Sequence, residues 1–170
     1  MNERSHAAAI AKALLFTILV PGTVTVYVPH RILLSRGPAD ALPIGPLRYL
    51  GAALLAAGAA AYLRCAWDFA SAGRGTPAPI DPPKRLVVRG LYRRVRNPMY
   101  LGILLVLSGE ALFFRSRALL GYAGLVFLFF FLFVVAYEEP ALTRKFGEEY
   151  ERYCDRVPRW IPRLSRDLEG

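Results

Sequence analysis

From Ala118 to Tyr137 the chain runs for twenty residues, ALLGYAGLVFLFFFLFVVAY, without a charged side chain. A helix needs about 20 apolar residues to cross the hydrocarbon core of a bilayer. Within that core every backbone N–H and C=O has to be satisfied inside the spanning structure, so a single run of this kind is a helix. Three other apolar runs, Ala7 to Val28, Leu47 to Ala70 and Met99 to Phe114, approach or reach the same length. The sequence therefore predicts an all-α polytopic membrane protein of about four transmembrane helices, with a long cytoplasmic loop and a C-terminal amphipathic helix, in one domain over residues 1–170.

The first run contains Pro21 and Gly22, which are expected to kink or split it, and it lacks a small-residue cleavage site, so it reads as a retained helix. His30 to Arg48 is rich in Gly and Pro and reads as a connector. The second run carries Gly51, Ala52, Ala53, Ala56, Ala57 and Gly58, small residues that let membrane helices approach closely. Near its end Arg64 and Asp68 stand four apart, the spacing of a structural ion pair. Arg115 to Arg117 is a tight turn that folds the third and fourth runs into an antiparallel hairpin. After Glu138 and Glu139, Pro140 is expected to start a new helix. Its apolar positions Leu142, Phe146, Tyr150 and Tyr153 define one face. Trp160, among arginines, suits the headgroup region.

A formal charge of +9 raises the possibility of nucleic acid, but the basic residues flank apolar spans and form no soluble basic face, so no nucleic-acid partner is expected. They set the topology instead. The loop from Ser71 to Arg96 and the tail after Tyr137 hold seven Lys and Arg each, against five on the opposite side, which places the loop, the tail and both termini in the cytoplasm. Cys65 and Cys154 have neither CxxC spacing nor a nearby His pair, so no metal site is expected.

The loop and the spans meet at K-R-L-V-V-R-G-L-Y-R-R-V-R-N-P-M-Y-L-G, residues Lys84 to Gly102. Asn97 before Pro98 is a helix-start signature, in which the Asn side chain accepts from a first-turn amide and Pro has no amide to leave unsatisfied. With both flanks on one side of the membrane, the start of the third span faces the end of the fourth. There Glu138 and Glu139 sit where the helix dipole disfavours anions. Tyr92, Tyr100, the helix N-terminus and two carboxylates together suit a polar, partly cationic cofactor beside a lipid. A sulfonium is stabilised by carboxylates and aromatic faces, and methyl transfer needs alignment and exclusion of water more than acid or base groups. No Gly-rich dinucleotide signature is present.

G-L-Y-R-R-V-R-N-P-M-Y-L-G, E-E-P-A-L-T-R-K-F-G-E-E-Y-E-R-Y and V-P-R-W-I-P, in that order, resemble the isoprenylcysteine carboxyl methyltransferase family, to which the phospholipid N-methyltransferases are related. The resemblance covers Gly73 to Pro162. It implies an integral membrane enzyme that uses S-adenosylmethionine and acts on a lipophilic acceptor: a prenylcysteine-like carboxylate, a lipid head group or another small lipophile. It implies cofactor contacts at Lys84, Arg85, Leu86, Val87, Tyr92, Asn97, Pro98, Met99, Tyr100 and Glu138. Family members often carry His where this chain has Asn97, and Asn cannot titrate. Where the eukaryotic isoprenylcysteine enzymes have an Arg implicated in the substrate site, this chain has Val134. For an amine acceptor, Glu139 and Glu110 are the candidates to take the proton, while Glu110 in a helix-packing hydrogen bond is the structural alternative. A sterol-reductase-type enzyme using NADPH and a non-enzymatic scaffold holding anionic lipid are the competing readings. A bacterial inner membrane is the expected location, and nothing in the sequence fixes the oligomeric state.

Overall fold

The computed structural model describes residues 15, 17–35, 37, 40–71 and 86–162. Among them every regular element is helical, and the one isolated bridge pairs Ala41 with Ser116. Helix α1 is Thr17–Leu34, α2 is Arg48–Ser71 and α3 is Pro98–Phe113, preceded by a 3-10 turn at Gly90–Arg93. Helix α4 runs for 30 residues, Arg117–Phe146, and α5 is Glu148–Arg156. Thr17–Leu34, Gly45–Asp68 and Arg117–Phe146 are long and apolar enough to cross a membrane, whereas α3 is apolar but has only 16 residues.

Two helices pass through prolines: Pro29, just beyond the expected end of the first run at Val28, and Pro140, expected to start a new helix. A proline has no N–H for the carbonyl four residues earlier, and its ring crowds that carbonyl. Ahead of Pro29 the chain opens into a π turn at Thr23–Tyr27, with the Val28 amide donating to Thr23 O. Ahead of Pro140 it does the same at Val134–Glu138, with the Glu139 amide donating to Val134 O. Each widened turn absorbs the ring without breaking the helix. The first span therefore continues past Val28 to Leu34, and Pro140 lies inside α4. Glu138 and Glu139 are consequently not at a helix end, and the cost of placing carboxylates there comes from burial. The helix stops instead at Gly147, whose φ of +51° is left-handed, so the expected single amphipathic helix is broken into the end of α4 and a separate α5.

Antiparallel α2 and α3 meet through two pairs of glycines. A Cβ on Gly58 would lie 2.6 Å from Gly102 O, and one on Gly51 would lie 2.7 Å from Gly109 O. The pairs are seven residues apart on each helix, two turns, so they stay on one line and the backbones touch along it. The alanines expected to share this face do not: Ala52, Ala53, Ala56 and Ala57 are exposed. Arg64 Nε and Asp68 Oδ2 form the expected pair, at 3.6 Å. At the far end of the hairpin, Ser116 Oγ accepts from Leu119 N and caps α4, and Asp40 Oδ1 accepts from Ala118 N.

On the opposite side, Tyr150, Tyr153 and Val157 bury themselves against Leu86, Leu142, Phe146 and Cys154, which docks α5 onto the segment leading into α3. The Tyr153 hydroxyl donates to Tyr92 O at 2.7 Å. The tail beyond α5 turns inward: Trp160 packs edge-on against Phe127 of α4, ring centroids 5.7 Å apart, and joins the core cluster of Tyr62, Ile103, Leu107, Ala123 and Phe130.

Two outcomes follow. Gly58→Val and Gly102→Val each force α2 and α3 apart at a backbone contact and should cost about 1–3 kcal/mol, read as a lower melting temperature in detergent. Gly121→Val, at a position where an added Cβ would meet nothing within 4 Å beyond its chain neighbours and its own helix backbone, should leave melting nearly unchanged. The second concerns pH. Burial raises the phenol pKa of Tyr92, Tyr150 and Tyr153. Such groups hold their protons more tightly folded than unfolded, so their contribution to stability is complete below the free tyrosine value of about 10 and declines above it. Absorbance titration should show these three phenols ionising only as the protein unfolds, and Tyr153→Phe should remove one of them.

Candidate active site

A cavity of about 370 Å³ lies between the start of α3 and the second half of α4, within the range of small-molecule sites. Its polar end is built from Tyr92, Arg96 and Asn97 of the segment before α3, Tyr100 of its first turn and Glu138 of the π turn. Its apolar end is formed by Val20, Pro21 and Val24 of α1, Ile103 of α3, and Leu125, Val126, Phe129 and Phe130 of α4, with Tyr62 and Tyr122 contributing from α2 and α4.

The polar end is fixed by specific bonds. The Tyr100 hydroxyl donates to Glu138 Oε2 at 2.8 Å, and its ring packs on Phe130 with centroids 4.6 Å apart. Tyr92 is held at both ends: its carbonyl accepts from Tyr153, and its phenol shares a hydrogen bond with the Cys65 thiol. The turn carrying it needs Gly90, where φ is +57° and a Cβ would stand 2.6 Å from Asp68 Oδ2. Asn97 does not cap α3 with its side chain as the sequence predicts. Its Nδ2 donates instead to Arg159 O at 3.2 Å, and its carbonyl accepts the first intrahelical bond, from Leu101 N at 3.1 Å.

Glu138 and Glu139, adjacent on a helix, point about 100° apart. Glu138 faces the cavity, while Glu139 turns to the tail. Arg159 donates from Nε to Oε1 and from Nη2 to Oε2 of Glu139, each at 2.7 Å, and Arg96 Nη1 lies 3.0 Å from Oε1. The fork geometry is the strong form of this pairing. It keeps the Arg159 guanidinium more firmly protonated than usual, the Glu139 hydrogen bond being the main cause.

Of the residues predicted from the sequence, Tyr92, Asn97, Met99, Tyr100 and Glu138 come together on the cavity wall. Pro98 is buried at the first position of α3. Leu86 and Val87 lie away from the cavity, Leu86 against α5. Lys84 and Arg85 fall outside the described residues. Glu139, expected to take a proton, does not line the cavity and has both oxygens engaged by arginines. Glu110 is ten residues, about 15 Å of helix, beyond Tyr100 and does not line it either. Its Oε2 is buried without a hydrogen-bond partner among the described residues, so that oxygen makes no packing hydrogen bond. Val134 is 1% exposed and packed away from the cavity.

Sequence reasoning missed Arg96, because a run of arginines beside a span is already explained by topology. Its place directly before Asn97-Pro98 was the available signal. It also missed α1, whose apolar residues carry no pattern that distinguishes a cavity wall from a lipid face.

Comparison with known proteins bears on the family of the chain. The phospholipid methyltransferase family model matches residues 47–149. Protein-S-isoprenylcysteine O-methyltransferase B of Arabidopsis thaliana is 33% identical over 79 residues, 46% of this chain and 40% of that protein. A probable protein-S-isoprenylcysteine O-methyltransferase of Oryza sativa subsp. japonica is 33% identical over 78 residues, 46% of this chain and 41% of its own length. An uncharacterized protein of Haemophilus influenzae is 37% identical over 65 residues, 37% of this chain and all of its own. The matches thus span about two fifths of the plant relatives. With more than half of its length matched by the family model, and with apolar helices that frame a polar-ended cavity, the chain belongs to the phospholipid methyltransferase family.

Proposed function

We propose that this protein is a membrane methyltransferase that takes its methyl group from S-adenosylmethionine and delivers it to a lipophilic acceptor drawn from the bilayer. The observation that carries the reading is the two-ended cavity. A carboxylate, two phenols, an amide and a guanidinium gather at one end, and aliphatic and aromatic side chains at the other. Leu125 and Phe129 line the cavity yet are 67% and 63% exposed, so its apolar end opens sideways between α1 and α4.

The residues fit the cofactor. Glu138 offers negative charge and the Tyr92 and Tyr100 rings offer aromatic faces to a cation, while Asn97 and Arg96 stand where polar groups of a nucleoside or amino acid can be bonded. Bound there, the cofactor supplies an electrophilic methyl on a sulfonium. The chain supplies alignment and dryness: the Tyr100–Glu138 bond fixes the polar wall, and the apolar end admits a lipid tail and excludes water. For an acceptor that loses a proton, Glu138 is the carboxylate within the cavity, and Glu139 and Glu110 are outside it. In this reading α3 is the fourth span, the polar end faces the cytoplasm, and the protein resides in a bacterial inner membrane.

The test is calorimetric titration of S-adenosylhomocysteine into detergent-purified protein. The wild type should bind, Tyr100→Ala and Glu138→Gln should each weaken binding about tenfold or more, roughly 1.4 kcal/mol, and Glu110→Gln should bind as the wild type does. Folded wild type that binds none of it contradicts the reading, and NADPH and anionic lipid would then be titrated in its place.

A further inference from the structure

Glu139 is mostly buried, at 16% exposure, and both its oxygens are engaged by guanidinium groups: that of Arg96, which lines the cavity, and that of Arg159, in the tail. Arg96 and Asn97 line the cavity; Arg96 reaches Glu139 with Nη1, and Asn97 reaches Arg159, Glu139's other partner, through the Arg159 carbonyl. The Arg96 amide also donates to Pro158 O at 2.9 Å. Two strands of contact, one through side chains and one through backbone, thus tie the segment before α3 to the tail, and both converge on Arg159 and its fork on Glu139. On α4 the neighbour of Glu139 is Glu138, which ends the π turn Val134–Glu138, where the helix departs from its regular i→i−4 hydrogen-bond pattern and the Glu139 amide donates to Val134 O. Left alone, a widened turn can relax by rotating the residues around it. Glu139, gripped from two sides, removes that freedom.

We propose that Glu139, with Arg96 and Arg159, is a positioning lock: it fixes the rotation of α4 at the π turn and thereby holds the Glu138 carboxylate against Tyr100 in the cavity. Glu139 touches neither cofactor nor acceptor, and acts through Glu138. The lock spans three separate parts of the chain, so the polar end of the cavity forms only when the tail has docked. Arg96 Nε, buried and without a hydrogen-bond partner among the described residues, marks the place where the lock borders the cavity.

The inference rests on the cofactor site proposed above, and a double-mutant cycle separates the two. S-adenosylhomocysteine affinity is measured for wild type, Glu139→Gln, Glu138→Gln and the double variant, with melting temperature recorded for each. A lock acting through Glu138 predicts about a tenfold loss of affinity for Glu139→Gln in the wild-type background and less than a twofold further loss when Glu138 is already Gln. The same loss in both backgrounds, or wild-type affinity in Glu139→Gln, overturns it. Wild type that fails to bind at all speaks against the cofactor site and not against the lock. Should Glu139→Gln fail to fold, Arg159→Lys, which keeps the charge and loses the fork, is measured in the same two backgrounds. It should give the same pattern: a several-fold loss with Glu138 present and almost none without it. An affinity unchanged by Arg159→Lys overturns the lock as well.

Discussion

A proline inside a helix must be accommodated, and here the accommodation decides which way two adjacent carboxylates face. Pro140 lies in the 30-residue helix α4, and the chain absorbs it by widening the preceding turn at Val134–Glu138. Had the helix ended there, Glu138 and Glu139 would both have sat at a solvated, dipole-disfavoured terminus. Because it continues, the two carboxylates emerge on different sides of one rod. One meets Tyr100 and the cavity, the other meets Arg159 and Arg96. The division of labour between adjacent, chemically identical residues is thus a matter of helix geometry.

The rest of the architecture supports that division. Reciprocal glycine contacts press α2 onto α3, whose first turn, begun at Asn97-Pro98, carries Asn97 and Tyr100 to the cavity. Asp68 at the end of α2 lies under Gly90, so the same helix that seats α3 also seats the turn bearing Tyr92. Helix α5 closes the assembly from outside through Tyr153, and the tail returns to place Trp160 against α4. The exposed aromatic and aliphatic side chains along α1 and α4 need no partner in a bilayer, since lipid tails are as apolar as the side chains themselves.

Much of this was legible in the sequence, for identifiable reasons. Apolar length marked three helices long enough to cross a membrane, the Asn97-Pro98 step marked the start of α3, and the segment before α3 together with Glu138 pointed to Tyr92, Asn97, Met99, Tyr100 and Glu138, which line one cavity. What stayed hidden depends on backbone geometry that residue type does not encode. Proline reads as a helix breaker, so the π turns and the continuation of α1 and α4 could not be foreseen. Alanine and glycine read alike as small, yet only the glycines touch, because a Cβ would meet backbone at 2.6–2.7 Å. Asn97 reads as a cap, but a tail more than fifty residues later takes its amide. Glu139 reads as a second acid of a pair, and only its partners show it to be occupied.

The central claim is that the polar end of the cavity, with Glu138 and Tyr100 at its centre, holds the methyl donor. The direct measurement is photocrosslinking of S-adenosylmethionine, labelled in its methyl group, to the protein in lipid nanodiscs, followed by mass-spectrometric mapping of the labelled peptides. The account predicts label on the peptides that carry Tyr92 to Tyr100 or Glu138, removed by excess S-adenosylhomocysteine. Competable label confined to the outer face of α5, around Arg152 and Arg156, would contradict it.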